Sequence, residues 1–285
     1  MSKLSNSWRM MKASVRVLKL DPELLVFPLL SGIAAILVTA TFIVPFAFIG
    51  EGFGALENLD ENVGYLGYVV GFLYYLVLYS LMFFFNTALV GATMIRLDGG
   101  DPTLSDGLNI AFKKMVPILE YAAISATVGM LLRALEERAW FLGKIVVGII
   151  GLTWTLTTFL TVPVLVTKDV SAFDAVKESA NVFKRTWGEQ VVANIGIGFA
   201  TFVIFLLMAL VSVPLIILVS SLNEVLLIPL LLSLLGGFLL LALVSSALKG
   251  IYSAALYRYA TTGDPGEHFS SEMMEEAFRS KKRRW

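Results

Sequence analysis

Residues 225–259 read VLLIPLLLSLLGGFLLLALVSSALKGIYSAALYRY and contain only two charged side chains, Lys249 and Arg258. An apolar run of about 20 residues is long enough to cross about 30 Å of hydrocarbon. It does so as a helix, because a helix satisfies its own backbone hydrogen bonds in lipid. This stretch therefore predicts a transmembrane helix, and it decides the class of the protein.

Five other segments have the same apolar character, and each predicts a further span. They are residues 24–49, 64–95, 117–135, 141–166 and 191–219. The composition agrees, since 57% hydrophobic and 15% charged residues in a chain of 285 residues exceed what one soluble core encloses. The sequence excludes a soluble enzyme and predicts an all-α, polytopic membrane protein with six transmembrane helices.

Lys and Arg are concentrated in alternate segments between the predicted spans. Eighteen lie before the first span, after the second, after the fourth or after the sixth, whereas three, Arg133, Arg138 and Lys144, lie near the opposite loops. Because cytoplasmic segments retain positive charge, we expect both termini in the cytoplasm and the protein in the cell membrane. No short apolar core with a cleavage site precedes the first span, so we expect that span to be an uncleaved anchor.

Three segments with helical periodicity precede pairs of spans, at residues 5–20, 103–115 and 171–187. The first carries an apolar stripe with basic borders, formed by Leu4, Trp8, Met11, Val15 and Leu18. The other two begin with capping-box-like pairs, Thr103 with Asp106 and Ser171 with Asp174. An amphipathic helix of this kind lies in the headgroup plane, or it packs on the ends of the spans; both alternatives stay open.

The predicted architecture is therefore three transmembrane hairpins, each preceded by a cytoplasmic amphipathic helix. Residues 1–260 form the six-span membrane domain. Residues 261–285 form a cytoplasmic tail with a short helix and a basic end.

The basic borders of these segments predict contact with anionic lipid headgroups, at about 1 kcal/mol for each Lys or Arg near the membrane surface. The candidate residues are Arg9, Lys12, Arg16, Lys19, Lys113, Lys114, Lys184, Arg185, Lys281, Lys282, Arg283 and Arg284. A cytoplasmic protein partner is possible at the same surface. Nucleic acid is not an expected partner, because 22 basic and 22 acidic residues balance.

Four polar residues fall within the predicted spans: Glu120, Lys249, Asn86 and Asn194. Ionisable groups in lipid are costly and often functional, so one hypothesis is a proton- or cation-coupled translocation site around Glu120 and Lys249. The favoured alternative is a structural ion pair, or side chains that reach the headgroups.

The chain has no Cys and one His, His268, in the tail. Hydrolytic or metal-dependent chemistry needs converging ligands or bases, so we predict no catalytic residues, no metal site and no cofactor. The favoured function is a non-enzymatic membrane protein that binds lipid or recruits a partner at the cytoplasmic leaflet. The alternative is a small transporter or permease.

Two stretches resemble known families. The segment from Ser7-Trp8-Arg9 to Phe27-Pro28-Leu29-Leu30-Ser31-Gly32 resembles the opening of an uncharacterised family of bacterial and archaeal six-span membrane proteins, a domain of unknown function. Residues 170–187, with Ala172, Ala175, Ser179, Phe183 and Trp187, are similar to the membrane domain found beside glycerophosphodiester phosphodiesterases. The second resemblance implies a multi-span module without activity, because the phosphodiesterase domain is missing.

Overall fold

The computed structural model describes residues 3–49, 64–187, 196–222 and 224–278, and the regular elements within these ranges are all helical. Short 3-10 turns lie at Pro22–Leu25 and Glu224–Leu226. The α-helices are α1 (Lys3–Leu20), α2 (Val26–Ile49), α3 (Gly64–Leu97), α4 (Leu104–Lys113), α5 (Met115–Arg138), α6 (Phe141–Thr158), α7 (Thr161–Thr167), α8 (Ala172–Trp187), α9 (Gly196–Leu222), α10 (Leu227–Thr262) and α11 (Ser271–Phe278).

Six helical stretches of the described chain are long and apolar enough to cross a membrane. They are Pro22–Val44, Val69–Leu97, Met115–Arg138, Phe141–Thr167, Thr201–Ser221 and Leu227–Thr262. The prediction of six is confirmed, including the third span, which forms in spite of Glu120. The predicted start of the fifth span at Val191 lies outside the described residues.

The chain folds into two compact units. The first unit comprises the described residues of Met1–Leu25, Thr93–Asp101 and Thr186–Trp285, and the second comprises those of Val26–Ala92 and Pro102–Arg185.

In the first unit, α1 packs against α9, α10 and α11. The side chains that α1 buries are Met10, Ala13, Ser14, Val17 and Leu18. This face is rotated by about one residue, or about 100°, from the apolar stripe that the sequence predicts. Small residues permit the closest approach of two helices, which explains why Ala13 and Ser14 are buried while Trp8 is 50% exposed.

Helix α10 changes character along its length. Its first half exposes apolar side chains such as Ile228 and Leu232, whereas its second half, from Ser245 to Tyr257, is largely buried. Helices α1 and α11 pack against α10, so this second half has a protein environment within the first unit.

In the second unit, α5 and α6 are packed neighbours. Helix α4 lies close to two other elements at Gly107, where an added Cβ would stand 2.6 Å from the Phe27 ring and 2.7 Å from the Ala88 carbonyl. Glycine is therefore required at position 107, because a side chain there would meet the Phe27 ring and the Ala88 carbonyl. In the same unit, the rings of Phe83 on α3 and Tyr121 on α5 stack with centroids 4.2 Å apart.

Candidate functional site

An exposed basic stripe runs along α1. It consists of Trp8, Lys12, Arg16 and Lys19, at steps of four, four and three residues, so they share one helical face. Trp8, Lys12, Arg16 and Lys19 are all exposed. The Lys12 ammonium lies 5.7 Å from the centroid of the Trp8 ring, which is a cation–π distance. Within the described part of the chain, Lys12, Arg16 and Lys19 have no carboxylate partner, so these three cations are available to an external anion.

Other predicted lipid contacts are placed differently. Lys114 donates to the Lys168 carbonyl at 2.8 Å and pairs with Asp169 at 3.3 Å, and its side chain is only 16% exposed. Lys113 is exposed and Lys184 is exposed on α8. Lys114 thus joins the end of α4 to the segment before α8.

The remaining predicted lipid contacts and the two Asn residues of the predicted spans lie partly within and partly outside the described residues. Arg9 is half-buried on α1, and Arg185 lies within α8. The tail cations Lys281, Lys282, Arg283 and Arg284 lie outside the described residues, as does Asn194. Asn86 is half-buried on α3.

Glu120 lies against the N-terminus of α8. Its Oε2 accepts a hydrogen bond from the Ala172 N–H at 3.0 Å, and the Ser171 hydroxyl accepts one from the Asp174 N–H at 3.3 Å. The first N–H groups of a helix have no partner within the helix, and an acidic group there also complements the helix dipole. Glu120 therefore holds α8 to α5 in the second unit.

Lys249 is exposed on α10 in the first unit. Its ammonium group makes no ion pair with any described residue. It lines a cleft between α9 and α10, and it is the only ionisable group among the described residues of that lining.

The fourth span is not continuous. Helix α6 ends at Thr158 and α7 begins at Thr161. Pro163 has no N–H to donate, and its ring clashes with the carbonyl four residues earlier, so an unbroken helix is disfavoured at this point. The fourth span accordingly has a break two residues long, at Phe159 and Leu160.

Ser179 of α8 satisfies the backbone at this break. Its hydroxyl donates to the Thr157 carbonyl at 2.6 Å and accepts from the Leu160 N–H at 3.1 Å, and the side chain is fully buried. The sequence does not predict this role, because a buried Ser on a helix carries no sequence signal of its distant partner.

Two arginines of the first unit make ion-pair networks that the sequence also does not predict. Arg96 pairs with Asp21, which is 2% exposed, and with Asp101. Arg258 pairs with Asp98 and with Asp264. The two Gly-Asp-Pro turns, at residues 100–102 and 263–265, each place their Asp against the Arg that precedes the turn. The hydrogen bond from Arg258 holds the pKa of Asp264 below its ordinary value.

These positions can be compared with known proteins. The chain belongs to DUF6159, a family of unknown function. The family match covers residues 63–267. No curated protein and no solved structure matches the chain.

The matched range contains Glu120, Ser179 and Lys249, whereas α1 and its exposed basic stripe lie before it. The segment at residues 7–32 that suggested an uncharacterised family also lies before it. Membership of a family of unknown function is thereby shown for the chain, and the similarity of residues 170–187 to a phosphodiesterase-linked membrane domain stays a prediction. Among the described residues, no group of three His, Cys, Asp or Glu side chains is placed to hold a metal ion.

Proposed function

We propose that the protein is a non-enzymatic, multi-pass protein of the cell membrane that binds anionic lipid headgroups through the exposed basic stripe of α1. The observation that carries this proposal is the contrast among cations. Arg96, Arg258 and Lys114 are paired with carboxylates, whereas the three cations of the stripe reach the surface and have no such partner in the described chain.

The chemistry of the stripe suits a membrane surface. Trp rings favour the membrane–water interface, and Lys and Arg stems extend along apolar surface toward phosphates. Each cation contributes about 1 kcal/mol to binding at an anionic leaflet, which is about fivefold in the binding constant. Three cations on one face therefore favour an anionic lipid strongly over a zwitterionic one.

The proposal includes the orientation in which both termini are cytoplasmic, supported by the distribution of Lys and Arg. Because the chain has no Cys, single cysteines test it directly. A membrane-impermeant thiol reagent added to intact cells should label Gly52→Cys and should not label Lys113→Cys. The reverse pattern would refute the orientation.

Lipid contact is tested in vesicles with a chain whose Trp8 is its sole tryptophan. The other four are replaced by Phe: Trp140, Trp154, Trp187 and Trp285. At equal mole fraction, brominated phosphatidylglycerol should quench Trp8 fluorescence more than brominated phosphatidylcholine does. The preference should disappear at 1 M salt, where the screening length falls to about 3 Å.

Replacing all three stripe cations by Gln should also abolish the preference. The matched control is Arg138→Gln with Lys144→Gln, which removes cations predicted on the opposite side and should leave the preference intact. An unchanged preference in the stripe variant would contradict the proposal.

A small transporter is the second candidate, and the broken fourth span favours it. Transporters place binding sites where helices are interrupted. Here the buried Tyr121 side chain lies beside the hydroxyls of Ser125, Thr158 and Thr161, next to the break between α6 and α7.

Proton flux into reconstituted vesicles under an imposed potential separates the two candidates. A flux that Thr161→Val abolishes would favour the transporter. Glu120→Gln retains an oxygen that accepts from the Ala172 N–H, so a helix-capping role predicts that this variant folds normally. Protein-free levels of flux would leave lipid binding as the function.

A further inference from the structure

A cleft of about 440 Å³ lies between α9 and α10 in the first unit. Its apolar lining includes Phe202, Phe205 and Phe238, and its polar lining includes Ser246 and Lys249. Along α10 the lining changes from apolar to polar in one direction, from Phe238 through Leu241 to Lys249. The cleft is therefore amphipathic along the helix axis.

Helix geometry relates this polarity to the bilayer. Helix α10 has 36 residues, which is about 54 Å at 1.5 Å per residue and much longer than the hydrocarbon thickness. About 20 residues cross the hydrocarbon, so a count from Leu227 reaches the boundary near residue 247. Lys249 then lies at the headgroup level, while Phe238 lies within the hydrocarbon.

The burial of side chains gives the same boundary independently. Leu239 and Leu240 are 54% and 59% exposed, whereas Ala247 and Ile251 are fully buried. Continuous exposed apolar surface on a helix apolar enough to span a membrane is typical of a lipid-facing surface, so the change from exposed to buried marks the end of the lipid-facing part of α10.

Among the described residues that line the cleft, the polar end offers hydrogen-bond donors and no carboxylate. The hydroxyls of Thr201 and Ser245 lie 3.0 Å apart and bond to each other. Lys249 and Ser246 lie one helical turn apart, and neither side chain bonds to another described residue. At the headgroup level a Lys side chain attracts phosphate, so an anion between these two donors would be stabilised.

We propose that this cleft binds one anionic phospholipid from the surrounding bilayer, with its phosphate at Lys249 and Ser246 and an acyl chain along Phe205 and Phe238. The apolar end is open toward lipid, because Phe202 and Phe205 are 59% and 51% exposed. A soluble anion would leave these apolar walls uncovered, whereas an acyl chain covers them. The proposal is independent of the exposed basic stripe of α1, which lies on other residues.

Native mass spectrometry of the full chain in detergent, with added phosphatidylglycerol or phosphatidylcholine, tests this site. The protein should retain one phosphatidylglycerol in preference to phosphatidylcholine. Lys249→Met should lower the retained fraction at least tenfold, and Lys249→Arg should keep it, because Arg also binds phosphate. Lys144→Met, which removes an exposed cation of the second unit, is the matched control and should have no effect.

A second variant tests the apolar half of the cleft. Ala242→Trp places a large ring among the residues that line the cleft and leaves Lys249 intact. It should displace the lipid while helix content and elution volume stay unchanged. If Lys249→Met does not fold, Ala242→Trp still tests whether the cleft binds the lipid.

Equal retention of the two lipids would overturn the proposal, as would full retention in Ala242→Trp. The variant with Gln at all three cations of the α1 stripe should still retain its phosphatidylglycerol. Failure of the surface proposal and failure of the cleft proposal therefore give different results.

Discussion

Ser179→Ala is expected to destabilise the protein more than the removal of an ordinary helical hydroxyl does. Ser179 is fully buried and serves two backbone groups, the Thr157 carbonyl and the Leu160 N–H. Each buried polar group left without a partner costs about 1–3 kcal/mol. The expected loss is therefore about 2–6 kcal/mol in the free energy of unfolding.

The loss can be measured by unfolding the purified protein with increasing SDS in mixed micelles, followed by far-ultraviolet circular dichroism. Ser220→Ala is the matched control, because that exposed hydroxyl donates only to a carbonyl of its own helix, Ile217, at 2.8 Å. The control should change the free energy of unfolding by less than about 0.5 kcal/mol.

A double-variant cycle with Pro163→Ala tests the stated cause of the break. With an N–H restored at position 163, α6 and α7 can form a continuous helix that satisfies its own backbone. Ser179→Ala should then cost clearly less in the Pro163→Ala background than in the natural sequence, which is a coupling that the cycle measures. An equal cost in both backgrounds would refute the argument that Ser179 serves a proline-induced break.

Two further predictions concern a glycine turn and the N-terminal cap of α4. Gly266 and Gly263 both have positive φ, +90° and +77°. An added Cβ would meet the Leu97 carbonyl at 2.9 Å at position 266, whereas nothing lies within 4 Å at position 263. Gly266→Ala should therefore lower the unfolding midpoint more than Gly263→Ala does. Hydrogen bonds from the Thr103 hydroxyl and backbone N–H lower the pKa of Asp106 below 3.8. Because the folded-state pKa is the lower one, this stabilisation is present above pH 3.8 and is lost as the pH falls through the folded-state pKa. Asp106→Asn should remove that part of the acid sensitivity, measured as the unfolding midpoint against pH.

The spans were predictable because their signal is local. A run of apolar residues of sufficient length predicts a membrane helix whatever its neighbours are, and Met115–Arg138 is helical and apolar enough to cross a membrane in spite of Glu120. The capping pair Thr103 and Asp106 is a local signal as well, and both of its hydrogen bonds form.

The partners of polar residues were not predictable, because they depend on packing between distant segments. Glu120 bonds to Ala172, 52 positions away, and Arg96 bonds to Asp21, 75 positions away. The face that α1 buries within the first unit also differs from its apolar stripe, since periodicity weighs a side chain by its hydrophobicity. Helix packing selects by size too, and it buries Ser14 while Trp8 stays exposed.

The positive-inside rule does not identify which cations bind lipid. The positive-inside rule counts every Lys and Arg equally, and that count is suited to orientation. Binding energy at a membrane surface comes only from cations that are not already neutralised. Lys114, held by Asp169 and the Lys168 carbonyl, would have to break those contacts before it could bind a phosphate. Lys12 breaks no ion pair, so substitutions of stripe cations should weaken lipid binding while Lys114→Gln should chiefly lower stability.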